Sequence, residues 1–570
     1  MRHPGAVRDH PSPVRCKPPL RHRDRLCHEA SAASCRTRET SIPSVFVRPF
    51  SNAVWLLSAV PVARVDWRVW GRRTLLATLA GLVAVTGAAP LEAASRRGQR
   101  ALEERLRHHI ERLASDEFAG REPGTEGEAK TLRYLGREWF DIGLVSGTND
   151  PANEWFAPVT LVAREPATSS AQFFRGRSTK ALTPEDVIVL TSGKRGLARR
   201  SPLLFVGNLE AGALTRNELA GRIVVLLDGL GESEAASGAR QSAFLEMGAA
   251  AVLTVLDGAR SFEEVVARRG RSGYALAQDA TGGDLEAFIS PEAMAGLLNG
   301  TGQTLPSLEA KAARADFTPL ALGLSASFEA TTRSTTIHTH NLIGKLPGRN
   351  PDAGAVLFVA HWDHFGTCAE PPAEDTVCNG AIDNASGVAA LTEVARALAK
   401  GPPLERDVYF LSTTGEEVGL LGAHAFAENP PVPLDGIVAA FNIDSVAIAP
   451  AGTPFAIVGK GMTGLDEDIA KVARRAHFDL LDSEDANEFV RRQDGWALLQ
   501  HDIPAVMVTT AYGDISRMRA FYDSDYHRPS DDLTHGLELG GEVEDVLLLT
   551  DLGRWFSDPR NAPLVRGEAP

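Results

Sequence analysis

The sequence predicts an α/β protein: a mixed, mostly parallel central sheet with helices on both faces, and a smaller β-rich region inserted before its main part. Three observations lead there. From Thr336 onward the apolar runs AVLFVA, DVYFLS, GIVAAFNI and PAVMVTT alternate with helical stretches such as SGVAALTEVARALAK, which is how βαβ units read. Between about 165 and 330 the runs are shorter, separated by turn signals, with one helical piece among them. Finally, polar clusters directly follow three of the long apolar runs, and in open α/β sheets ligands bind outside the carboxyl ends of the strands.

The bulk numbers narrow the field. A chain of 570 residues implies two or three domains. Hydrophobic content of 44% and charged content of 23% are those of a soluble globular protein. A net charge of −14 argues against a nucleic-acid partner, which a basic field would accompany. The 5 cysteines, with no C-x-x-C pair, make neither a disulfide scaffold nor a zinc knuckle.

In chain order, residues 1 to about 70 are rich in Arg, Pro and His, with weak periodicity. RRTLLATLAGLVAVTGAAPLEAAS, from Arg72 to Ser95, has the basic start, short apolar run and small-residue tail of an export signal. Its Arg72-Arg73 pair admits twin-arginine export; the alternative is a buried or membrane-anchoring helix. The apolar run is short for a transmembrane helix, so no stable span is expected in the mature form. A signal this far in suggests translation from a start later than Met1. Next, Leu102, Leu106, His109, Ile110 and Leu113 follow helical spacing, and GREPGTEG forms a loop. A second helix is expected from about Glu128 to Phe140, with Leu132, Leu135 and Trp139 on one face and Gly143 as its stop. In GREPGTEG, Glu122 and Glu126 read as solvated loop residues rather than catalytic carboxylates. In 165–330, DVIVLTS, PLLFVG, GRIVVLLDG and AAVLTVLDG are strands, with a helix at ARQSAFLEMGA; the region contains no His and reads as an accessory or lid domain. Beyond Thr336, Val388, Leu391, Val394, Ala395 and Leu398 form one helical stripe, and a closing helix runs from Glu542 to about Trp555. The expected organisation is a leader and signal at 1–94, catalytic segments at 95–165 and 331–560 around an insert at 166–330, and a tail at 561–570.

The chemistry lies between His361 and His527. His361 and Asp363 form an H-x-D pair after a strand; neutral imidazole is a good zinc ligand, and a carboxylate commonly takes its other N–H. Asp383, in GAIDNASG, precedes a helix near Ser386; it reads either as an N-cap or as a carboxylate able to bridge two metals. Glu416 and Glu417 follow STTG. Pointing adjacent acids into a dry crevice is costly unless a cation is near. That favours one ligand, Glu417, and one general base, Glu416, for a water activated by metal. Asp444 ends FNID at another strand end. His527, in DSDYHRPSDD, is alone in its loop. Together these make five ligands and a free Glu for two zinc ions, with positions open for water and substrate.

On these residues the chain resembles the zinc metallopeptidase family of bacterial leucyl aminopeptidases, whose relatives include glutamate carboxypeptidase II. The resemblance covers most of the chain from about 100 to 557. It implies that His361 and Asp444 bind one zinc, Glu417 and His527 the other, that Asp383 bridges, that Glu416 is the general base, and that Asp363 orients His361. LASDEFAGREPGTEG resembles the N-terminal motif of members carrying a protease-associated insert, and LAGRIVVLLDG and MGAAAVLTV resemble that insert. Two departures stand out: Ile382 replaces the first Asp of G-x-D-D-N, and RQDG at 492–495 replaces R-S-D-H, keeping Asp494 but losing the His. Cys368 and Cys378 flank the loop between His361 and Asp383 and could form a disulfide in an exported protein. The implied function is an exported aminopeptidase acting on peptide or aminoacyl substrates. The alternatives are a carboxypeptidase, for which Arg491, Arg492, Arg517 and Arg519 could supply a basic pocket, a single-zinc glutaminyl-cyclase-like enzyme, or a non-catalytic receptor-like binding protein.

Overall fold

The computed structural model describes residues 96–564 apart from 229–233, 257–260, 271–272, 280–283, 432 and 535. The chain divides into two units, 1–82 and 83–570, and every described residue belongs to the second. The expected leader and the export signal at Arg72–Ser95 lie outside the described residues.

Two helices open the unit. Helix α1 spans 96–113 and buries the expected stripe of Leu102, Leu106, His109, Ile110 and Leu113. Helix α2 (Glu126–Ile142) starts where the Thr125 side chain accepts the Gly127 N–H and stops at Gly143, whose φ of 97° is left-handed. Its inner face is Leu132, Leu135 and Trp139, and the Trp139 indole donates to Thr392 Oγ1 at 3.1 Å.

The strands are β1 (Phe156–Arg175), β2 (Val187–Thr191), β3 (Arg195–Gly207), β4 (Ile223–Leu227), β5 (Ala251–Val255), β6 (Leu285–Ile289), β7 (Leu320–Leu346), β8 (Ala355–His361), β9 (Asp407–Thr413), β10 (Ile437–Asn442), β11 (Ala456–Val458) and β12 (Ala505–Thr509). They belong to one 15-stranded sheet in the order β11-β12-β10-β8-β9-β7-β3-β4-β5-β6-β2, with β1 paired to β7. Two parallel blocks, β12-β10-β8-β9 and β3-β4-β5-β6, meet at β7, which is antiparallel to β9, β3 and β1. At 27 residues, β7 pairs with β3 through Leu320–Thr331 and with β9 through Leu342–Leu346. Strands β1 and β7 therefore run straight through positions 165 and 330, where the sequence pattern changes, because the strand period continues across them.

Residues 171–330 contribute a hydrophobic core of their own, with Phe173, Phe205, Ile223, Leu253, Ile289 and Phe328. Besides the expected helix, found at Glu234–Glu246, this stretch contains helices at Phe262–Arg269, Pro291–Leu298 and Leu305–Ala312. Sequence reading missed these three. Each is 8 residues long and opens on a Ser or Thr cap, two with Pro in the first turn, so their starts read as turn signals.

The second block is covered on both faces. Along β8, Val356, Phe358 and Ala360 enter one core while Ala355, Leu357 and Val359 enter another. Full burial explains why this strand is apolar throughout, and each such Val or Leu contributes about 1.5–3 kcal/mol. Helix α3 (Gly387–Ala399) places Val388, Leu391, Val394, Ala395 and Leu398 in the first core, beside helix α5 (Leu539–Phe556); helix α4 (Leu421–Glu428) packs Phe426 into the second. Phe358 stacks between Phe410 and Phe441 of the flanking strands, with ring centroids 5.7 and 5.4 Å away. No described helix is long and apolar enough to cross a membrane.

Candidate metal centre

Parallel register puts the site together. His361, the last residue of β8, pairs with Thr413, the last of β9, and Val359 pairs with Asn442, the last of β10. The chain leaves these three neighbouring strands at one edge of the sheet, delivering His361 and Asp363, then Glu416 and Glu417, then Asp444. Asp383 arrives from the irregular turn Ala381–Ser386 ahead of α3.

The carboxylate of Asp383 faces two ways. Its Oδ1 lies 3.4 Å from His361 Nε2, which is also 3.4 Å from Asp444 Oδ1. Its Oδ2 lies 3.3 Å from His527 Nε2, which is 2.9 Å from Glu417 Oε2. His361, Asp383 and Asp444 form one group able to hold a metal ion, and His364, Asp383 and Glu417 form another. The donor set fits cations. His361 Nε2, His364 Nε2, His527 Nε2 and Asp383 Oδ2 are buried and make no hydrogen bond, although carboxylate oxygens or imidazoles stand close by. Orphaned atoms of this kind are rare in a protein interior unless something else satisfies them.

His364 is the residue that sequence reasoning missed. Its Nδ1 bonds Glu417 Oε1, on the other side of that carboxylate from His527. The signal was present in HWDH, one position after Asp363. Asp363 also differs from expectation in detail. His361 Nδ1 meets the backbone carbonyl of Asp363 at 3.2 Å, whereas the Asp363 carboxylate is 3.9 Å away and accepts the Glu416 N–H at 3.3 Å. A carbonyl only accepts, so Nδ1 carries the proton and Nε2 presents its lone pair to the site. Asp363 thus orients His361 through its backbone and Glu416 through its side chain.

Burial pushes the Asp363 carboxyl up to about 7 and that of Asp494 to about 6. Burial also raises Glu416 well above the usual range, aided by the charges of Asp444, Glu417 and Asp494 and opposed by His361. Burial opposes ionisation of Asp383 too, yet His361 and His527 overcome it and hold that group far below its ordinary value. Asp494, the remnant of the altered R-S-D-H segment, is buried and accepts from Thr413 Oγ1. The turn that carries His527 is strained: His527 itself has φ 59°, a left-handed conformation that costs energy and is concentrated at functional sites. Tyr526 stacks on its ring at 3.6 Å and Phe365 packs edge-on at 4.5 Å, so the imidazole has little freedom to turn away.

Glu122 and Glu126 are exposed. Cys368 and Cys378 are bonded across a short hairpin, Cα–Cα 5.7 Å. Of the four candidate arginines, Arg517 pairs with Asp514 and Arg519 with Glu488, while Arg491 lies over Trp496 and Arg492 over Tyr522.

Histidines and carboxylates gathered at the carboxyl ends of parallel strands form a buried cluster able to hold metal ions. Residues 341–544 match the model of Peptidase family M28, in agreement with the resemblance read from the motifs. Among solved structures, the chain is similar to an aminopeptidase from Aneurinibacillus sp. strain AM-1 (18% identity, 82% of this chain and 96% of that one, TM-score 0.47). It is also similar to a zinc aminopeptidase from Bacillus subtilis (16% identity, 79% and 93%, TM-score 0.38). Over 104 residues it is 33% identical to a vacuolar membrane protease from Schizophyllum commune, a stretch that is 18% of this chain. The match spans only 10% of that relative's length, and 9% of a second such protease from Yarrowia lipolytica.

Proposed function

We propose that the chain is an exported aminopeptidase that holds two zinc ions and removes N-terminal residues from peptides. The observation that carries this reading is the two-sided contact of Asp383, one oxygen toward His361 and Asp444, the other toward His527 and Glu417. His361 and Asp444 would hold one ion, Glu417 and His527 the second, and Asp383 would touch both. Zinc held there supplies Lewis-acid polarisation of the scissile carbonyl and acidifies water. Glu416 belongs to neither group of ligands, and its carboxyl is close enough to His361 and Asp444 for their charges to act on it. It takes the proton of the attacking water and returns it to the leaving amine. Asp363 holds Glu416 in place by accepting its backbone N–H.

The surplus of carboxylates supports recognition of a positively charged amino terminus. Arg121, deep in the site, is spent on backbone carbonyls, and Arg517 and Arg519 are paired with acids. Arg491 and Arg492 have aromatic partners and remain exposed, which keeps a carboxypeptidase as the second reading. Residues 166–330 would form the protease-associated insert that their motifs resemble, and export would use the segment at Arg72–Ser95.

The test is a panel of free-amine, acyl-blocked and carboxyl-blocked peptides, assayed with and without a chelator, with zinc counted per chain. Cleavage restricted to free-amine substrates, lost on chelation, with two zinc ions per chain, is the expected result. Cleavage of acyl-blocked peptides from their carboxyl end selects the second reading, and a single zinc with cyclisation of N-terminal glutamine selects a cyclase-like enzyme.

A further inference from the structure

We infer that Asp531 and Arg121 are positioning residues: they fix the turn carrying Asp383, so that occupancy of the ion position on the His527 side depends on them. The inference rests on the two-ion reading above and adds residues that touch neither ion nor substrate.

Asp531 lies four positions after His527 and is 1% exposed. Its two carboxylate oxygens accept consecutive backbone amides, Ile382 N–H at 2.8 Å and Asp383 N–H at 2.9 Å, and its own carbonyl accepts the Ala381 N–H at 3.1 Å. One loop therefore supplies His527 and also carries the three residues ending at Asp383. If that loop shifts, ligand and bridge shift together.

Arg121 holds the other side of the same turn. Its guanidinium donates to the carbonyls of Trp362 (2.8 Å), Leu113 (3.0 Å), Asn379 (2.6 Å) and Gly380 (2.9 Å). It thereby ties the His361–His364 segment to the residues leading into Asp383. Burying a guanidinium costs much free energy, and these four acceptors are neutral. Its permanent charge lies near Asp531, Asp383, Asp363 and Glu417, so it offsets part of their mutual repulsion. The backbone is strained to bring it there. Ala119, Gly120 and Arg121 all have positive φ, and a Cβ on Gly120 would come within 2.5 Å of the Cys378 carbonyl oxygen. Gly380 is as tightly placed: at φ +55°, a Cβ would lie 2.1 Å from the Asp383 carbonyl oxygen. A turn packed this closely has one arrangement, set by the groups that receive its amides and carbonyls.

Asn at 531 keeps one acceptor but turns an NH2 toward the other backbone N–H, so it breaks half of the clamp without changing volume. The experiment uses the full chain and zinc alone as probe. Wild type, D531N, R121M, H527A and D383N are compared for the two zinc dissociation constants, by competition with a chromophoric chelator, and for melting and kcat. In D531N and R121M the tighter ion is expected to bind as in wild type and the second about 10- to 100-fold more weakly, as supporting partners of metal ligands commonly behave. Their kcat should recover in excess zinc, and H527A should show the same split without recovery. A folded D531N with both constants unchanged, or with both weakened equally, overturns the inference; R121M decides in the same way if D531N melts before assay. If wild type binds fewer than two ions, or D383N keeps both at wild-type affinity, the two-ion reading itself falls and takes the inference with it.

Discussion

Glu416→Gln and Glu417→Gln separate two roles assigned to neighbouring carboxylates. Glu417 is engaged from both sides, its Oε2 2.9 Å from His527 Nε2 and its Oε1 on His364 Nδ1. Glu416 is outside both ligand groups and is fixed through its backbone, the N–H donating to Asp363 Oδ1 at 3.3 Å. Glutamine preserves volume, so neither change opens a cavity, and at 416 it replaces a carboxyl whose ionisation burial and the charges of Asp444, Glu417 and Asp494 disfavour. A positioned general base contributes about 10²–10⁴-fold. At about 1.4 kcal/mol per tenfold, that is about 3–5.5 kcal/mol of barrier. E416Q is therefore expected to lower kcat by about 10²–10⁴-fold while KM changes by less than about threefold and zinc content stays at the wild-type value. E417Q should instead lose affinity for one ion and regain activity as zinc is added. The assay is steady-state hydrolysis of a free-amine aminoacyl anilide across a zinc titration, with bound zinc measured after dialysis. An E416Q enzyme that keeps more than about a tenth of wild-type kcat, or that loses an ion, refutes the division of labour.

Two further outcomes follow from groups away from the ligands. Asp545 on α5 accepts from Thr509 Oγ1 at 2.6 Å and the Thr510 N–H at 2.8 Å, yet full burial raises it to about 7. A carboxyl raised in the folded state holds its proton there more tightly than in the unfolded chain, so stability falls as pH climbs from about 4 to about 7 and is level beyond. The rise from 3.8 to about 7 amounts to about 4 kcal/mol. Urea unfolding of D545N in chelator should therefore gain on wild type by up to that amount between pH 4.5 and pH 8, and a difference that does not change with pH rejects it. The Cys368–Cys378 bond closes a loop of sequence separation 10, so replacing both cysteines with serine should cost up to about 3 kcal/mol of stability, and a reductant should abolish the difference from wild type. Equal urea midpoints without reductant would count against it.

Legibility in the sequence followed from what kind of signal each residue emits. Strands β8, β9 and β10 were visible because burial on both faces demands an unbroken apolar run, and each run stops at a polar cluster. His361, Glu416, Glu417 and Asp444 could be singled out from that coincidence; Asp383 follows no apolar run and, ahead of a helix, read equally as an N-cap. His527 stood on weaker ground, since a lone His in the polar loop DSDYHRPSDD has no local feature to distinguish it, and it entered the set only in company with the other four ligands. His364 stood in plain view but lost out to Asp363, because the H-x-D spacing offered a ready partner for His361. That partnership is made by the Asp363 carbonyl, and backbone acceptors leave no mark on residue identity. Arg121 and Asp531 were the hardest to see. Besides the Leu113 carbonyl, Arg121 donates to carbonyls 241 to 259 positions away, and Asp531 accepts amides 148 and 149 positions away; a contact to backbone constrains the side chain that makes it without constraining the residue contacted.

The charge balance of the crevice carries the argument from geometry to chemistry. Asp363, Asp383, Glu416, Glu417, Asp444, Asp494 and Asp531 all have buried side chains, and the groups facing them are the Arg121 guanidinium and the imidazoles of His361, His364 and His527. Left to protein groups alone, such a site takes up protons: burial lifts Asp363 to about 7, and the nearby Asp383 and Glu417 carboxylates, acting against burial, lift His527 to about 9. Each of those protons sits where a divalent cation would relieve the same repulsion more fully, because an imidazole must be neutral and a carboxylate ionised to ligate. Ion binding there would release protons and strengthen as pH rises. The turn of Asp383 cannot relax away from the crowding, held as it is by Asp531 on one side and Arg121 on the other. Rigid support of this kind keeps like charges together at a cost in stability, which bound cations would offset.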